Sequence, residues 1–218
     1  VMPTDTVYGI GADALKPDAV AALLAAKERD RSMPIPVLIA EAAMLPALVA
    51  DVPLAASSLA DAFWPGALTM IFDMAPELDM DLGDAKDTIA LRVPDHDDAR
   101  GLLRRTGPLA VSSANKSGEP PDSVAVYLEA GETPGQAAST IVDFSQIATG
   151  QVLRLGVLSF DDLLKVAPEL ILSPSLEAEA TADVPNVDGD AESENPLDDD
   201  SASELGRRKQ TEACASIC

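Results

Sequence analysis

Hydroxyls, a carboxylate and glycines are concentrated in the first dozen residues of the chain. Pro3 precedes a Thr-Asp-Thr cluster at 4–6, and the segment Val-Tyr-Gly-Ile-Gly follows it. This order predicts the end of a strand, a tight polar turn and a short strand relieved by glycine. The glycines would let another group approach the backbone closely. Taken alone, the stretch favours a turn whose Thr and Asp side chains cap their own backbone, and a binding site is the alternative.

Cations, hydroxyls and an amide recur at the ends of the other predicted strands or in the loops beside them. In an α/β sheet such ends converge on a crevice. Four cations with hydroxyl and amide donors suit a polyanion or a carboxylate, and charge that develops at phosphorus. No His or Cys nucleophile accompanies them, so acyl-enzyme chemistry is not indicated, and the spacing alone predicts only an anion pocket. The residues are Thr4, Thr6, Lys27, Arg29, Thr88, Arg92, Ser113, Asn115, Ser139 and Arg154.

The segments that must position these groups alternate between apolar runs and helical patterns. This alternation indicates an α/β fold or a tightly mixed α+β fold. Neither G-x-G-x-x-G after a strand nor G-x-x-x-x-G-K-[ST] is present, so neither a Rossmann site nor a P-loop is predicted. The apolar runs predict strands at 37–40, 67–72, 88–93, 108–111, 139–144 and 150–154, and the helical patterns predict helices from Pro17, near 41–50, 53–63, 95–105 and 122–130, and from a capping box at Ser159.

The chain of 218 residues carries a net charge of −22. This acidity argues against indiscriminate binding to nucleic-acid phosphate, but it leaves room for a local basic pocket. No apolar run is long enough to span a membrane, and none is predicted to do so. No leader precedes Val1 and a strand-like motif begins at once, so we expect an N-terminal segment to be missing. Cys214 and Cys218 are the two cysteines, which fits a reducing, cytoplasmic compartment, and no metal site is predicted.

The composition changes at about Ser173. Residues 173–218 contain 12 Asp or Glu against 3 Lys or Arg, with scattered Pro, Ser and Gly and almost no aromatic residues. Segments of this composition lack the apolar surface needed to offset the entropy of an ordered chain. We therefore predict a folded domain over 1–172 and a disordered acidic tail over 173–218.

Seven segments, in order and spacing, resemble the YrdC-like family of L-threonylcarbamoyladenylate synthases. Together they cover roughly residues 1–165, nearly all of the predicted domain. One such motif would be weak evidence, whereas seven in order are strong. The segments are P-T-D-T-V-Y-G-I-G at 3–11, K-x-R at 27–29, F-W-P-G-A-L-T at 63–69, T-I-A-L-R-V-P at 88–94, S-A-N-K-S-G at 113–118, S-T-I-V-D at 139–143 and L-R-L-G at 153–156.

The resemblance implies a twisted sheet with flanking helices around a deep, positively lined cavity. It implies an enzyme that converts ATP, bicarbonate or CO₂, and L-threonine into threonylcarbamoyl-AMP and pyrophosphate, with Mg²⁺ expected alongside ATP. A separate tRNA threonylcarbamoyl-transferase complex would then modify the tRNA adenosine next to the anticodon. Weak binding of RNA to the chain itself is left open.

The resemblance also assigns site residues. Two departures weaken the match, since Met33 replaces an amide and Pro121 replaces a Ser that contacts the nucleotide in many relatives. The implied catalytic residues are Lys27, Arg29, Ser113 and Asn115, the implied ATP contacts are Arg29, Thr88, Ser113 and Arg154, and the implied L-threonine contacts are Thr6, Arg92, Val111 and Ser139.

Two other functions compete with synthesis. The first is a nucleotide- or RNA-binding module of the same fold without turnover, against which the charge of −22 argues. The second is a carbamoyl-phosphate-dependent maturation enzyme that shares this domain. Proteins of the second kind carry zinc-finger-like and acylphosphatase-like parts, which are not recognisable in this sequence.

Overall fold

A computed structural model of the chain describes residues 1–27, 35–84, 87–114, 126–129, 131 and 138–182. The described strands are β1 Gly9–Asp13, β2 Val37–Leu38, β3 Leu68–Asp73, β4 Thr88–Arg92, β5 Leu109–Ser113, β6 Thr140–Asp143, β7 Gln151–Arg154 and β8 Ile171–Leu172. The described helices are α1 Pro17–Ala26, α2 Leu54–Phe63, α3 Asp97–Thr106, α4 Phe160–Val166 and α5 Pro174–Ala182, and a 3₁₀ helix covers Ala42–Ala47.

The strands form one mixed sheet in the order β1-β5-β2-β4-β3-β6-β7-β8. The pairs β2/β4, β3/β6 and β7/β8 are parallel, and the pairs β1/β5, β2/β5, β3/β4 and β6/β7 are antiparallel. Parallel pairs need crossovers, and helices or long loops supply them here. The predicted mixed α+β class is confirmed.

Alternation along the strands divides the sheet into a core face and a second face. Successive side chains of a strand point to opposite sides. In β3, Met70 and Phe72 are buried in the main hydrophobic cluster, whereas Ile71 is only half-buried and Asp73 is exposed. Helices α1, α2 and α4 contribute their apolar sides to that cluster. Because Thr88 pairs with Asp73, the alternation of β4 places Thr88 and Arg92 on the second face as well.

The second face is partly covered by α3. Leu103 of this helix packs with Leu38 and Val111, which lie on β2 and β5. The register places Arg92 opposite Leu38, on the same face. The cover thus lies at the β1-β5-β2 end of the sheet, beside the strand end that carries Arg92.

The helix predicted over 122–130 is wrong for the residues that the structure describes there. Residues 126–129 are not helical. The amino group of Val1 donates to the carbonyl of Val126 at 2.7 Å, and Leu128 N–H donates to the carbonyl of Val1 at 2.9 Å. Pairing with the first residue of the chain replaces local helical hydrogen bonds, and residues 122–125 and 130 lie outside the described set.

Regular structure also continues past the predicted boundary at 172. Ser173 is buried, and its N–H donates to the carbonyl of Val152 at 2.9 Å. Pro174 begins α5, and Leu176 packs against the main cluster. Pro174 is itself a signal for a helix start, because Pro favours the first helical turn. The acidic composition, averaged over 173–218, hid that signal. Residues 183–218 lie outside the described set, so the tail remains a prediction.

Ser159 is the N-cap of α4, as the capping-box pattern predicts, although the Asp162 carboxylate bonds its hydroxyl rather than its backbone N–H. The hydroxyl of Ser159 accepts a hydrogen bond from Asp162 N–H at 3.2 Å and donates to the Asp162 carboxylate at 2.6 Å. The bonds satisfy an N–H that the helix itself cannot pair. Among the described helices none is long and apolar enough to cross a bilayer.

Replacing Ser159 by Ala should lower the free energy of unfolding by about 1 kcal/mol, because α4 loses its cap. Urea denaturation measures the change. Ser57→Ala inside α2 is the matched control and should be neutral or slightly stabilising, by at most about 0.5 kcal/mol. Equal effects of the two substitutions would contradict a capping role for Ser159.

Candidate functional site

Arg92 ends β4 on the second face of the sheet, and it is the most enclosed of the site cations that the structure describes. It is only 7% exposed. Its Nη2 donates to Asp5 Oδ1 at 2.6 Å, its Nη1 donates to Thr6 Oγ1 at 2.9 Å and its Nε donates to the carbonyl of Gly66 at 2.9 Å. A guanidinium has five N–H groups, so contacts within the described residues leave two of them, both on the Nη atoms.

The Asp5 carboxylate is the counter-ion of Arg92. The side chains of Asp5 and Arg92 are 15% and 8% exposed, so the pair is largely removed from solvent. Asp5 Oδ1 also accepts a hydrogen bond from Asp95 N–H at 3.0 Å. Breaking a desolvated pair strands a charge, and the pair therefore fixes the opening turn against the end of β4.

The opening turn both caps itself and holds the arginine. Thr4 Oγ1 donates to the carbonyl of Val7 at 2.6 Å and accepts from the N–H groups of Thr6 and Val7 at 3.2 Å. The hydroxyl oxygens of Thr4 and Thr6 are 3.1 Å apart. Because the single proton of Thr4 is used on Val7, Thr6 must be the donor in that pair. Thr4 therefore caps the backbone of its own turn, which is the first of the two alternatives that the sequence offered. Thr6 contacts Arg92, which fits the alternative of a binding site.

Ser139 and Arg154 form the next part of the site. Arg154 Nε and Nη2 donate to the carbonyl of Ser139 at 3.2 and 2.9 Å, and Nη2 lies 3.4 Å from Ser139 Oγ. Ser139 Oγ is 2.8 Å from Thr69 Oγ1 in β3. Two hydroxyls and two guanidinium groups therefore occupy neighbouring strands of one face.

The two guanidinium groups repel each other. Burial, and then the charge of Arg92, lower the pKa of the Arg154 guanidinium from its ordinary value. An arginine remains a cation even so. Asp5 neutralises one of the two charges, so an anion between Arg92 and Arg154 would relieve the remaining repulsion.

Gly156 allows the chain to close against Ser139. A Cβ at residue 156 would lie 2.2 Å from the carbonyl oxygen of Ala138 and 2.7 Å from the carbonyl carbon of Ser139. These distances are far below any real contact. The glycine of the L-R-L-G segment is therefore required by close backbone approach, which fixes Ser139 beside Arg154.

Lys27 and Ser113 meet at the β1/β5 side of the sheet. Lys27 follows α1, and its ammonium donates to the carbonyl of Ser113 at 2.5 Å. Val111, two residues earlier on β5, packs over the bare face of β1, where a Cβ at Gly9 would lie 2.4 Å from its Cγ1. Lysine, serine and valine thus lie along one wall.

One of the assigned residues is not brought into these contacts, and two others lie outside the described residues. Thr88 begins β4, opposite Asp73, while Arg92 ends the strand, so roughly 13 Å separates the two along the chain. Arg29 and Asn115 lie outside the described residues. Their assignments rest on the resemblance alone.

Two residues of the site were not singled out by the sequence analysis. Asp5 lay within the recognised opening motif, and an acid between two threonines was its signal. Thr69 lay within F-W-P-G-A-L-T, where its signal was a lone hydroxyl inside the apolar run 67–72. Neither signal shows which partner the side chain would meet.

A separate acidic cavity of 660 Å³ lies along the loop after β3. Asp73, Asp79, Asp81 and Asp87 are among its lining residues. Their sign is wrong for a phosphate or a carboxylate. Among the residues that the structure describes, no group of three or more His, Cys, Asp or Glu side chains could hold a metal ion.

Comparisons with known proteins agree on one family. Residues 1–156 match the family model Sua5_yciO_yrdC, whose description reads "Telomere recombination". A Mycobacterium tuberculosis (strain H37Rv) protein named "Putative threonylcarbamoyl-AMP synthase" is 52% identical over 178 residues, which cover 76% of this chain and 82% of that protein. The threonylcarbamoyl-AMP synthase of Pyrococcus abyssi is 32% identical over 200 residues, which cover 85% of this chain and 58% of that protein.

Solved structures show the same similarity. The crystal structure of P. abyssi Sua5 complexed with L-threonine superposes with a TM-score of 0.72 at 32% identity, covering 81% of this chain and 55% of that chain. This chain therefore spans about half the length of that protein. The crystal structure of Escherichia coli YciO, with a TM-score of 0.62 at 24% identity, shares the fold.

Asp5→Asn should lower the free energy of unfolding by about 1.5–3 kcal/mol, because the Arg92 charge loses its buried counter-ion. Thermal and urea denaturation measure the loss. Glu41→Gln is the matched control, since the exposed Glu41 carboxylate pairs with Arg100 and Arg104, and it should cost at most about 1 kcal/mol. A smaller loss for Asp5→Asn than for Glu41→Gln would contradict the importance of the buried pair.

Proposed function

The chain belongs to the Sua5/YciO/YrdC family, and from that premise we propose that it is an L-threonylcarbamoyladenylate synthase. The reaction consumes ATP, bicarbonate or CO₂, and L-threonine, and it yields threonylcarbamoyl-AMP and pyrophosphate. The observation that carries the proposal is the pair of guanidinium groups with adjoining hydroxyls on one face of the sheet. The similarity to an L-threonine-bound P. abyssi protein supports it.

The amino acid is proposed to bind at Arg92. The two Nη hydrogens without partners among the described residues could hold a carboxylate in a bidentate pair, which suits a planar guanidinium. The hydroxyl of Thr6 lies 2.9 Å from Arg92 Nη1, and the hydroxyl of Ser139 lies 3.4 Å from Arg154 Nη2. Val111 offers an apolar wall for the methyl group of threonine.

The nucleotide is proposed to bind toward Arg154 and Lys27. Arg154 uses two of its three nitrogens on Ser139, and the rest of its guanidinium can face phosphate. Arg29, Thr88, Ser113 and Asn115 are proposed to complete this part, as the resemblance implies. Mg²⁺ would be held by phosphate oxygens of ATP, because the groups at hand are cations and hydroxyls, and it would neutralise charge on the triphosphate.

The chemistry requires positioning more than a strong base. The threonine amine combines with CO₂ to give a carbamate and one proton. A carbamate oxygen then attacks the α-phosphorus, the bond to the β-phosphate oxygen breaks, and pyrophosphate leaves with the electron pair. Cations fixed beside the transferred group stabilise that charge without reorganisation.

The product would serve a downstream reaction on tRNA. We propose that a tRNA threonylcarbamoyl-transferase complex takes up threonylcarbamoyl-AMP and modifies the adenosine next to the anticodon. The cytoplasm is the proposed compartment, since residues 1–213 contain no cysteine. The net charge of −22 argues that RNA binding by the chain itself is weak at most.

The substrate test is pyrophosphate release with ATP and bicarbonate in the presence of threonine, serine or valine. Serine loses only a methyl contact, so kcat/KM should fall by about 10–200-fold relative to threonine. Valine leaves the hydroxyl pair of Ser139 and Thr69 without a partner for its remaining proton and should be rejected more strongly. Arg92→Lys should lower kcat/KM for threonine by about 10–100-fold, because an ammonium cannot form the bidentate pair.

Turnover of valine as fast as threonine would contradict the proposed pocket. Nucleotide binding without any threonine-dependent pyrophosphate release would favour the non-catalytic binding module instead.

The phosphate cluster, by which we mean the proposed triphosphate contacts Lys27, Arg29 and Arg154, gives a second test. Arg29→Ala should lower kcat by about 100–1,000-fold with the fold intact, because a cation aimed at developing charge is lost. Circular dichroism and pyrophosphate release check the two parts. Arg105→Ala, an exposed cation of α3, is the matched control and should leave kcat unchanged. A near-normal kcat for Arg29→Ala would exclude Arg29 from the phosphate cluster.

A further inference from the structure

Thr69 is a buried hydroxyl in an apolar strand. It is 4% exposed and lies between Leu68 and Met70, both fully buried. The alternation of β3 places Thr69 on the second face of the sheet, the face of Arg92. Its Oγ1 is 2.8 Å from Ser139 Oγ, which belongs to the segment that leads into β6. This contact gives the buried hydroxyl a polar partner, so Thr69 does more than pack between its aliphatic neighbours.

The backbone of Ser139 is held firmly, and this leaves the rotation of its hydroxyl as the open variable. Arg154 donates two hydrogen bonds to the Ser139 carbonyl, and Gly156 lies against its carbonyl carbon. The next residue, Thr140, accepts hydrogen bonds from the N–H groups of Gly156 and Leu158 at 2.9 and 3.1 Å. The partner of the hydroxyl therefore decides where its proton points.

Thr69 and Ser139 together have one proton to offer a ligand. Each hydroxyl carries one proton, and one of the two lies between the oxygens. The Nη2 of Arg154, at 3.4 Å from Ser139 Oγ, brings a donor, so this oxygen is kept as an acceptor on that side. If Thr69 donates to Ser139, the Ser139 oxygen accepts from Thr69 and from Arg154, and its own proton is the one left for a ligand.

We propose that Thr69 is a positioning residue that fixes the Ser139 hydroxyl and thereby sets the preference for a β-hydroxy amino acid. This inference rests on the proposed function, and it names the group that makes the amino-acid pocket selective. With Thr69 in place, a ligand that lacks a hydroxyl leaves a buried O–H unpaired, which is a strong basis for rejection. Without Thr69, the Ser139 hydroxyl can rotate to another acceptor, and the unpaired state disappears.

The test compares Thr69→Val, which keeps the shape and removes the hydroxyl, with Thr69→Ser, which keeps the hydroxyl. The full chain is assayed for calorimetric binding of threonine and valine and for threonine-dependent pyrophosphate release. In Thr69→Val the ratio of threonine to valine affinity should fall about tenfold. KM for threonine should rise and kcat should change much less. Thr69→Ser should keep the ratio within about threefold of the wild type.

Thr106→Val, at the exposed end of α3, is the control for removing a threonine hydroxyl elsewhere, and it should leave the ratio unchanged. A purely structural Thr69 would lower the melting temperature in the valine variant and leave the ratio unchanged, which would overturn the inference. Failure of Thr69→Ser to keep the ratio would also overturn it. If the wild-type chain binds threonine selectively and Thr69→Val keeps the same ratio of affinities, only the role of Thr69 is overturned and the proposed function stands. A wild-type chain that binds no threonine would overturn the proposed function together with it.

Discussion

The ion pair between Arg92 and Asp5 is the interaction on which the site depends. A guanidinium that is 7% exposed must be paired, and Asp5 lies in a turn 87 residues away along the chain. The pair therefore fastens the first turn to the end of β4, and the Arg92 Nε–H fastens the loop at Gly66 to the same point. Loss of the carboxylate would leave the opening turn tied to Arg92 only through the Thr6 hydroxyl, and it would leave the guanidinium without a counter-ion among the residues that the structure describes.

Local charge, not overall charge, matters for the proposed chemistry. The chain carries −22 overall, yet two guanidinium groups lie near each other, and burial followed by the charge of Arg92 lowers the pKa of Arg154. Acidic residues collect elsewhere, as in the cavity along the loop after β3. Such separation lets a strongly acidic chain present one cationic face, and it would discourage long polyanions while admitting small ones.

The sequence predicted what is local and missed what depends on distant pairing. Apolar runs located β2 to β7, and Ser159 marked its helix, because these signals lie within a few residues. The contact of Thr69 with Ser139 joins residues 70 apart through the parallel β3/β6 pair, so no local pattern contains it. The helix prediction was wrong at 126–129 for the same reason, since hydrogen bonding to Val1 determines the conformation of that segment.

The bare face of β1 has a consequence for how the substrate range of the fold can change. Gly9 and Gly11 place no side chain over β5, and Val111 fills the space with both methyl groups. Any side chain at Gly9 would displace Val111, since a Cβ there would lie 2.4 Å from Val111 Cγ1. Because Val111 is the proposed wall for the substrate methyl group, an outer strand could reshape the proposed pocket without touching the ligand. Shortening Val111 would be the most direct way for evolution or design to admit larger amino acids on an otherwise unchanged scaffold.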